Sequence, residues 1–169
     1  MTFARRSLPV LAVLFGCVGC DQAIKSVAQS YLPPAQVWSF AGDSVRLQLA
    51  HNTGAFLSLG ASLTPEMRNV LFTLGVGCLL AVLLAYTLLA KGLNPAGRLG
   101  MALVVGGGLS NLADRWFHGG YVVDFLNLGI GSLRTGIFNL ADVAICAGVA
   151  LLLLKQKPIP SPAPRAPDA

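Results

Sequence analysis

The chain has 169 residues, of which 54% are hydrophobic and 11% charged, less than half the roughly 25% charge of a soluble globular domain. With a mean hydropathy of +0.68, this composition excludes a soluble protein and implies a membrane one. The net charge of +5 comes mainly from bases flanking apolar runs, and no basic stripe interleaved with aromatics marks a nucleic-acid surface.

The apolar runs are 7–20, 70–90, 99–113 and 137–154. A bilayer span needs about 20 residues at roughly 1.5 Å rise each, so only the second is long enough alone. The others must extend through polar residues, which then face protein or water rather than lipid. The fold class predicted is an all-α membrane protein, a four-transmembrane-helix bundle with spans 7–28, 66–90, 98–114 and 136–155, carrying a small external β-sheet. With the N-terminus inside, Arg5, Arg6, Lys91, Arg98, Lys155 and Lys157 share the cytoplasmic face.

In the first span Asp21 and Lys25 stand at i, i+4 with the acid first, the favourable order for a helix pair. They read as a link tying the helix to the external layer. Lys25 as general base for Ser58, Ser62 or Ser110 is the alternative, though none of these serines has a motif around it. Cys17, Cys20, Cys78 and Cys146 all fall in apolar runs without zinc spacing and read as buried small hydrophobes. No metal or cofactor is implied. Arg5-Arg6, an apolar stretch and Leu14-Phe15-Gly16-Cys17 also read as a lipoprotein signal with its lipobox, which would make the chain a substrate rather than an enzyme. The charged helix extension from Asp21 to Lys25 and three further spans weigh against that.

The external segment 29–65 holds Pro33-Pro34, then two alternating stretches, 37–40 and 45–49, that read as short strands, and Asn52-Thr53-Gly54 supplies turn chemistry. Residues 121–128 of the second external segment, 115–135, have similar strand character. Trp38, Phe40, Trp116 and Tyr121 are expected as interfacial anchors. His51 and His118 stand in loops without metal-ligand spacing and receive no role.

At the end of the third span Asn111 and Asp114 share a helix face, and Arg115 offers either a planar fork for a phosphate or carboxylate or a snorkelling anchor. Asn139 and Asp142 share a face at the start of the fourth. Asn139 reads as a substrate hydrogen-bonder, a support for the carboxylate, or an N-cap. The tail 158–169, with five prolines, is expected to be disordered and non-catalytic.

An ionisable group in a run as apolar as 137–154 is costly and therefore a functional hypothesis, although Asp142 could simply favour the helix dipole. Asp124 makes the stronger case when added to it. Two carboxyls meeting at a membrane surface can share one proton, one acting as acid while the other activates water. A proton-coupled transporter would also use such carboxylates, but would call for inverted repeats and a midplane site. Here the polar groups gather at one end of the spans.

Asp21-Gln22-Ala23-Ile24-Lys25, Asn52-Thr53-Gly54-Ala55-Phe56, the stretch from Gly107 to Arg115, Val122-Val123-Asp124-Phe125 and Phe138-Asn139-Leu140-Ala141-Asp142 together closely resemble the lipoprotein signal peptidase family, also called signal peptidase II. The match is ordered and covers residues 21–142. The resemblance implies an aspartic endopeptidase of the bacterial inner membrane, both termini cytoplasmic and the active site near the periplasmic face, with the external sheet periplasmic. It would cut signal peptides from diacylglyceryl-modified prolipoproteins just before the lipidated cysteine. By motif position Asp124 and Asp142 match the catalytic pair; Asn52, Gly54, Asn111, Arg115 and Asn139 match substrate-binding positions; Asp21, Lys25 and Asp114 match supporting ones. The expected partners are the prolipoproteins, membrane lipid and the cyclic-peptide inhibitor globomycin, bound by a monomer.

Overall fold

The computed structural model describes residues 3–54 and 62–154, with the side chains of Pro65 and Asn69 excepted. Ser58, Lys155, Lys157, Ala55, Phe56 and the tail 158–169 lie outside the described residues. The chain forms α1 (Phe3–Tyr31), β1 (Trp38–Phe40), β2 (Val45–Asn52), α2 (Pro65–Asn69), a π-helical turn (Val70–Gly75), α3 (Val76–Leu89), α4 (Pro95–Phe117), β3 (Val122–Ile130), β4 (Leu133–Arg134) and α5 (Leu140–Leu154). It is mostly helical, with one small antiparallel sheet.

Two helical stretches are long and apolar enough to cross a membrane, Phe3–Tyr31 and Glu66–Leu89, and Leu140–Leu154 is a shorter apolar helix. The expected start of the last span at 136 is corrected to Leu140. Phe138 bridges to the sheet instead, because its N–H donates to Leu126 O and the Leu126 N–H donates to Phe138 O, each at 2.9 Å. The expected second span is likewise interrupted by the π turn, a distortion that often accompanies functional sites.

Helix α4 is the hub, and three consecutive glycines make it so. A Cβ on Gly106 would meet Cys17 of α1 at 2.9 Å, one on Gly108 would meet Leu80 of α3 at 2.6 Å, and one on Gly107 would overlap the Ala141 carbonyl of α5. Three successive positions point roughly 100° apart around a helix, so each glycine admits a different neighbour at close range, as small residues do in membrane bundles. Lower in the bundle, Val10 and Leu14 of α1 pack with Ala102 and Val105 of α4 in the apolar core. Cleavage before Cys17 would remove that α1 contribution, which argues structurally against the lipobox reading. The cysteines do not fill the core: Cys17 is half-buried and Cys20, Cys78 and Cys146 lie exposed on the bundle surface, a surface that suits small apolar side chains when it faces lipid.

The sheet, in order β1-β2-β3-β4, rests on the end of α1 through Phe125 packed against Ala28 and Leu32. Between Leu47↔Leu126 and Ala50↔Asp124 the β2–β3 register slips by one residue. This bulge puts Asn52 and Asp124 on one sheet face as diagonal neighbours. The β1–β2 turn takes Ala41, Gly42 and Asp43 through positive φ, a conformation held by Arg46, which donates to both Asp43 oxygens at 2.7 and 2.6 Å. That pairing holds the Asp43 carboxyl well below its ordinary range. Trp38, Phe40 and Trp116 are exposed as expected of anchors. Tyr121 is not: it stacks between His51 and His118, with ring centroids 4.3 and 5.3 Å away.

Candidate active site

Asp124 and Asp142 reach one place from different elements, the first from near the start of β3 and the second from the first turn of α5. Asn139 bridges them. Its Nδ2 donates to Asp124 Oδ1 at 2.7 Å, and its backbone N–H donates to Asp142 Oδ2 at 3.2 Å. The Asp142 N–H returns a bond to Asn139 Oδ1 at 3.0 Å, closing a reciprocal N-terminal cap. Capping and carboxylate support are therefore one arrangement rather than competing readings of these two residues.

Each carboxylate has a further amide. Asn52 Nδ2 donates to Asp124 Oδ2 at 3.0 Å, and Asn111 Nδ2 to Asp142 Oδ1 at 2.9 Å. Asp124 is 2% exposed. Burial, partly offset by the Asn52 hydrogen bond and reinforced by the Asp142 charge, pushes its carboxyl up to about 6, the direction expected when a carboxyl is desolvated beside another.

Asn111 is oriented in turn. Its Oδ1 accepts from Lys25 Nζ at 3.0 Å and from Asn139 Nδ2 at 3.1 Å, which leaves its own Nδ2 aimed at Asp142. Lys25 pairs with Asp21 at 2.7 Å and with Asp114 at 2.8 Å, all three essentially buried. An ammonium has three protons to donate, and these contacts use them all, so Lys25 has no lone pair for a serine. The serine-lysine alternative is thereby corrected: Ser110 Oγ donates to Asp21 Oδ2 at 2.7 Å, Ser62 is exposed before α2, and Ser58 lies outside the described residues.

The two carboxylates also secure the surrounding backbone. Asp21 Oδ1 accepts the Ala141 N–H at 2.9 Å, anchoring the start of α5 to α1, and Asp114 Oδ2 accepts the Val123 N–H at 2.9 Å, anchoring β3 to α4. Gln22 completes the cluster, donating to Asp114 Oδ1 at 2.6 Å and Ser110 Oγ at 3.1 Å. Sequence reasoning assigned Gln22 no role, although its place beside Asp21 on the same helix turn was a usable signal.

Arg115 does not present a free fork. Its Nη2 donates to Gly54 O at 2.8 Å and its Nη1 to Asn111 O at 3.3 Å, while its guanidinium lies 5.9 Å from the Phe72 ring in the π turn. Gly54 is itself fixed by donating to Asn52 Oδ1 at 3.0 Å. Arg115 thus clasps the end of β2, the strand end that carries Asn52. Its Nε and Arg134 Nη2 are buried donors without an acceptor among the described residues.

A cavity of about 530 Å³ opens over the pair. Asn52, Arg115, Asp124, Arg134 and Asp142 supply its polar wall, and Val122, Ile137, Phe138, Val143 and Cys146 its apolar one. A second groove, about 510 Å³, leaves Asp142 and Arg115 and follows α5 past Ile145, Val149 and Leu153, against Phe72 and Val76. The structure brings all ten sequence-derived residues into one connected network: Asp21, Lys25, Asn52, Gly54, Asn111, Asp114, Arg115, Asp124, Asn139 and Asp142. Arg134 was not anticipated, since a basic residue in an external loop is ordinary by itself.

Such an arrangement is suited to hydrolysis by a pair of carboxyls, with water-activating and proton-donating groups at the mouth of an apolar channel. Comparison with known proteins points the same way. The family model described as Signal peptidase (SPase) II matches residues 13–156. The lipoprotein signal peptidase of Cronobacter sakazakii is 38% identical over 113 residues, covering 66% of this chain and 67% of that protein. That of Treponema denticola is 35% identical over 136 residues, covering 78% and 79%. A solved bacterial membrane enzyme, crystallised by the in meso method, shares the fold with a TM-score of 0.74 at 23% identity, covering 86% of this chain and 90% of that one.

Proposed function

The chain belongs to the signal peptidase II family, and on that premise we propose that Asp124 and Asp142 are its catalytic pair. The protein is an aspartic endopeptidase that removes signal peptides from lipid-modified bacterial prolipoproteins. The observation that carries the site assignment is the Asn139 bridge, which holds two carboxyls from separate elements at the mouth of one cavity.

In the reaction that this geometry supports, the carboxylate of the pair takes a proton from a water held between the two groups, and the hydroxide adds to the scissile carbonyl carbon. The protonated partner gives its proton to the carbonyl oxygen. Collapse of the tetrahedral gem-diol breaks the C–N bond: the member protonated by water gives that proton to the leaving amine of the lipidated cysteine, the other takes a proton back from a gem-diol hydroxyl as the new carboxyl forms, and the pair is left with one proton as before. Asn52, Asn111 and Asn139 keep both carboxyls oriented throughout. The buried donors of Arg115 and Arg134 are placed to take substrate carbonyls. The apolar wall and the groove along α5 suit the hydrophobic part of a signal peptide, and globomycin, as a cyclic peptide, would compete for the same space. Asp21, Lys25 and Asp114 act as support.

The wider layout follows the same reading. Residues 1–157 form one peptidase domain with four spans, about 7–28, 66–90, 98–114 and 140–155. Periplasmic segments cover about 29–65 and 115–135, both termini and the tail 158–169 are cytoplasmic, and the enzyme works as a monomer in the inner membrane.

The test is cleavage of a diacylglyceryl-modified prolipoprotein by the purified protein, against the unmodified precursor, with the new N-terminus read by mass. Cleavage directly before the lipidated cysteine is expected, and equal cleavage of the unmodified precursor would overturn the substrate assignment. The same assay gives a pH signature. Because the Asp124 carboxyl is raised to about 6, the singly protonated pair persists up to that pH and is lost above it. Free-enzyme kcat/KM should therefore fall on the alkaline side of about pH 6, approaching tenfold per pH unit. A flat profile from pH 5 to 8 would contradict the shared-proton mechanism.

Arg115→Lys tests the clasp. Lysine keeps the charge but cannot hold the Gly54 and Asn111 carbonyls in one plane while presenting a third donor. A kcat/KM about tenfold or more lower is expected, roughly 1.4 kcal/mol of lost transition-state stabilisation. Kinetics equal to wild type would reduce Arg115 to an interfacial anchor.

A further inference from the structure

At the end of the bundle opposite the aspartates, a cavity of about 410 Å³ lies between the start of α1 and the α3–α4 turn. Arg5, Arg6, Lys91 and Arg98 line it, and no acidic side chain does. Its remaining wall is apolar, with Leu93 in the turn and Pro9, Val13 and Leu99 extending it along α1 and α4. Arg98 donates to the Thr87 and Ala90 carbonyls, so the negative end of α3 is neutralised where it would otherwise face the cavity. The N-termini of α1 and α4 open at the same end and add their positive dipole ends.

Sorting of bases to one side of a membrane accounts for their presence on that face. It does not require them to converge on a cavity that continues into an apolar slot. Arg98 and Arg115 lie 17 residues apart on α4, about 25 Å along a helix, close to the roughly 30 Å thickness of a hydrocarbon core. The basic rim is therefore level with one layer of headgroups when the aspartates are level with the other. We infer that this cavity binds an anionic phospholipid, its phosphate among Arg5, Arg6, Lys91 and Arg98 and an acyl chain along Pro9, Val13 and Leu99. Basic pockets between membrane helices hold anionic headgroups in this way, and the combination of charge with an apolar slot selects a lipid over a free anion.

The test is native mass spectrometry of the full-length protein released from detergent after incubation with phosphatidylglycerol, phosphatidylcholine or inorganic phosphate. Wild type should retain phosphatidylglycerol about fivefold or more over phosphatidylcholine, a preference that weakens with added salt. The preference should disappear in Arg5→Gln/Arg6→Gln/Lys91→Gln, which removes the phosphate partners. It should also disappear in Val13→Trp, which fills the slot, keeps every base and so leaves the topogenic charges intact. Prolipoprotein cleavage in detergent should persist in both variants and report that they are folded. Equal retention of the two lipids by wild type, or a preference that survives in either folded variant, overturns the inference. Displacement of phosphatidylglycerol by inorganic phosphate would assign the bases to a free anion and overturn the lipid.

Discussion

Asp124→Asn and Asp142→Asn will each lower turnover of a lipid-modified prolipoprotein by about 10³-fold or more, a loss of roughly 4 kcal/mol of transition-state stabilisation. In the proposed mechanism the pair divides acid and base work through one proton, so neither member can substitute for the other. An amide in place of Asp124 turns one acceptor into a donor facing Asn52 Nδ2 or Asn139 Nδ2. That costs local order, but the fold rests elsewhere, on the glycine-packed helices and on Lys25. Both variants should therefore insert, purify and unfold thermally as cooperatively as the parent. Activity within tenfold of wild type in either one would end the aspartic assignment.

Lys25→Ala should have the largest effect on stability. Removing the ammonium strands two carboxylates, Asp21 and Asp114, in surroundings where neither is solvated. Breaking a buried ion cluster from one side costs about 3–5 kcal/mol, and the loss should appear as a lower Tm in detergent. The rate of the surviving folded enzyme should fall less, because Asn111 retains its bond from Asn139 and continues to face Asp142. Neutralising one stranded acid, as in Lys25→Ala/Asp21→Asn, should recover part of the Tm. Unchanged stability with catalysis gone would move Lys25 into the chemistry.

The helical part of the fold was legible because apolar runs and flanking bases follow directly from the properties of a bilayer. Asn111 with Asp114, and Asp21 with Lys25, were legible as pairs because helical spacing puts them on one face. What could not be read was the pairing across elements. That Lys25 answers Asp114 as well as Asp21 depends on how α1 meets α4, and that is decided by glycines whose absent side chains leave no pattern. The start of α5 was misplaced because Ile137 and Phe138 are apolar and continue the run, while the backbone of Phe138 bonds to β3. Asn52 and Gly54 came only through family resemblance, since the one-residue slip between β2 and β3 that aims Asn52 at Asp124 has no local signature. Arg115 was read as reaching outward because an arginine at a helix exit usually does, whereas its guanidinium folds back onto two carbonyls.

The Asn139 bridge also sets when the enzyme can first act. Asp124 and Asn111 gain their bonds from Asn139 only when the residues that open α5 have docked on α1 through the Ala141 to Asp21 bond, and α5 follows the other helices of the bundle in the chain. On the proposed assignment, a nascent chain that lacks α5 has only one aspartate of the pair and one wall of the groove. With that pair, proteolytic competence would arrive in one step with α5, and copies synthesised only as far as α4 would be unable to cut passing precursors or one another.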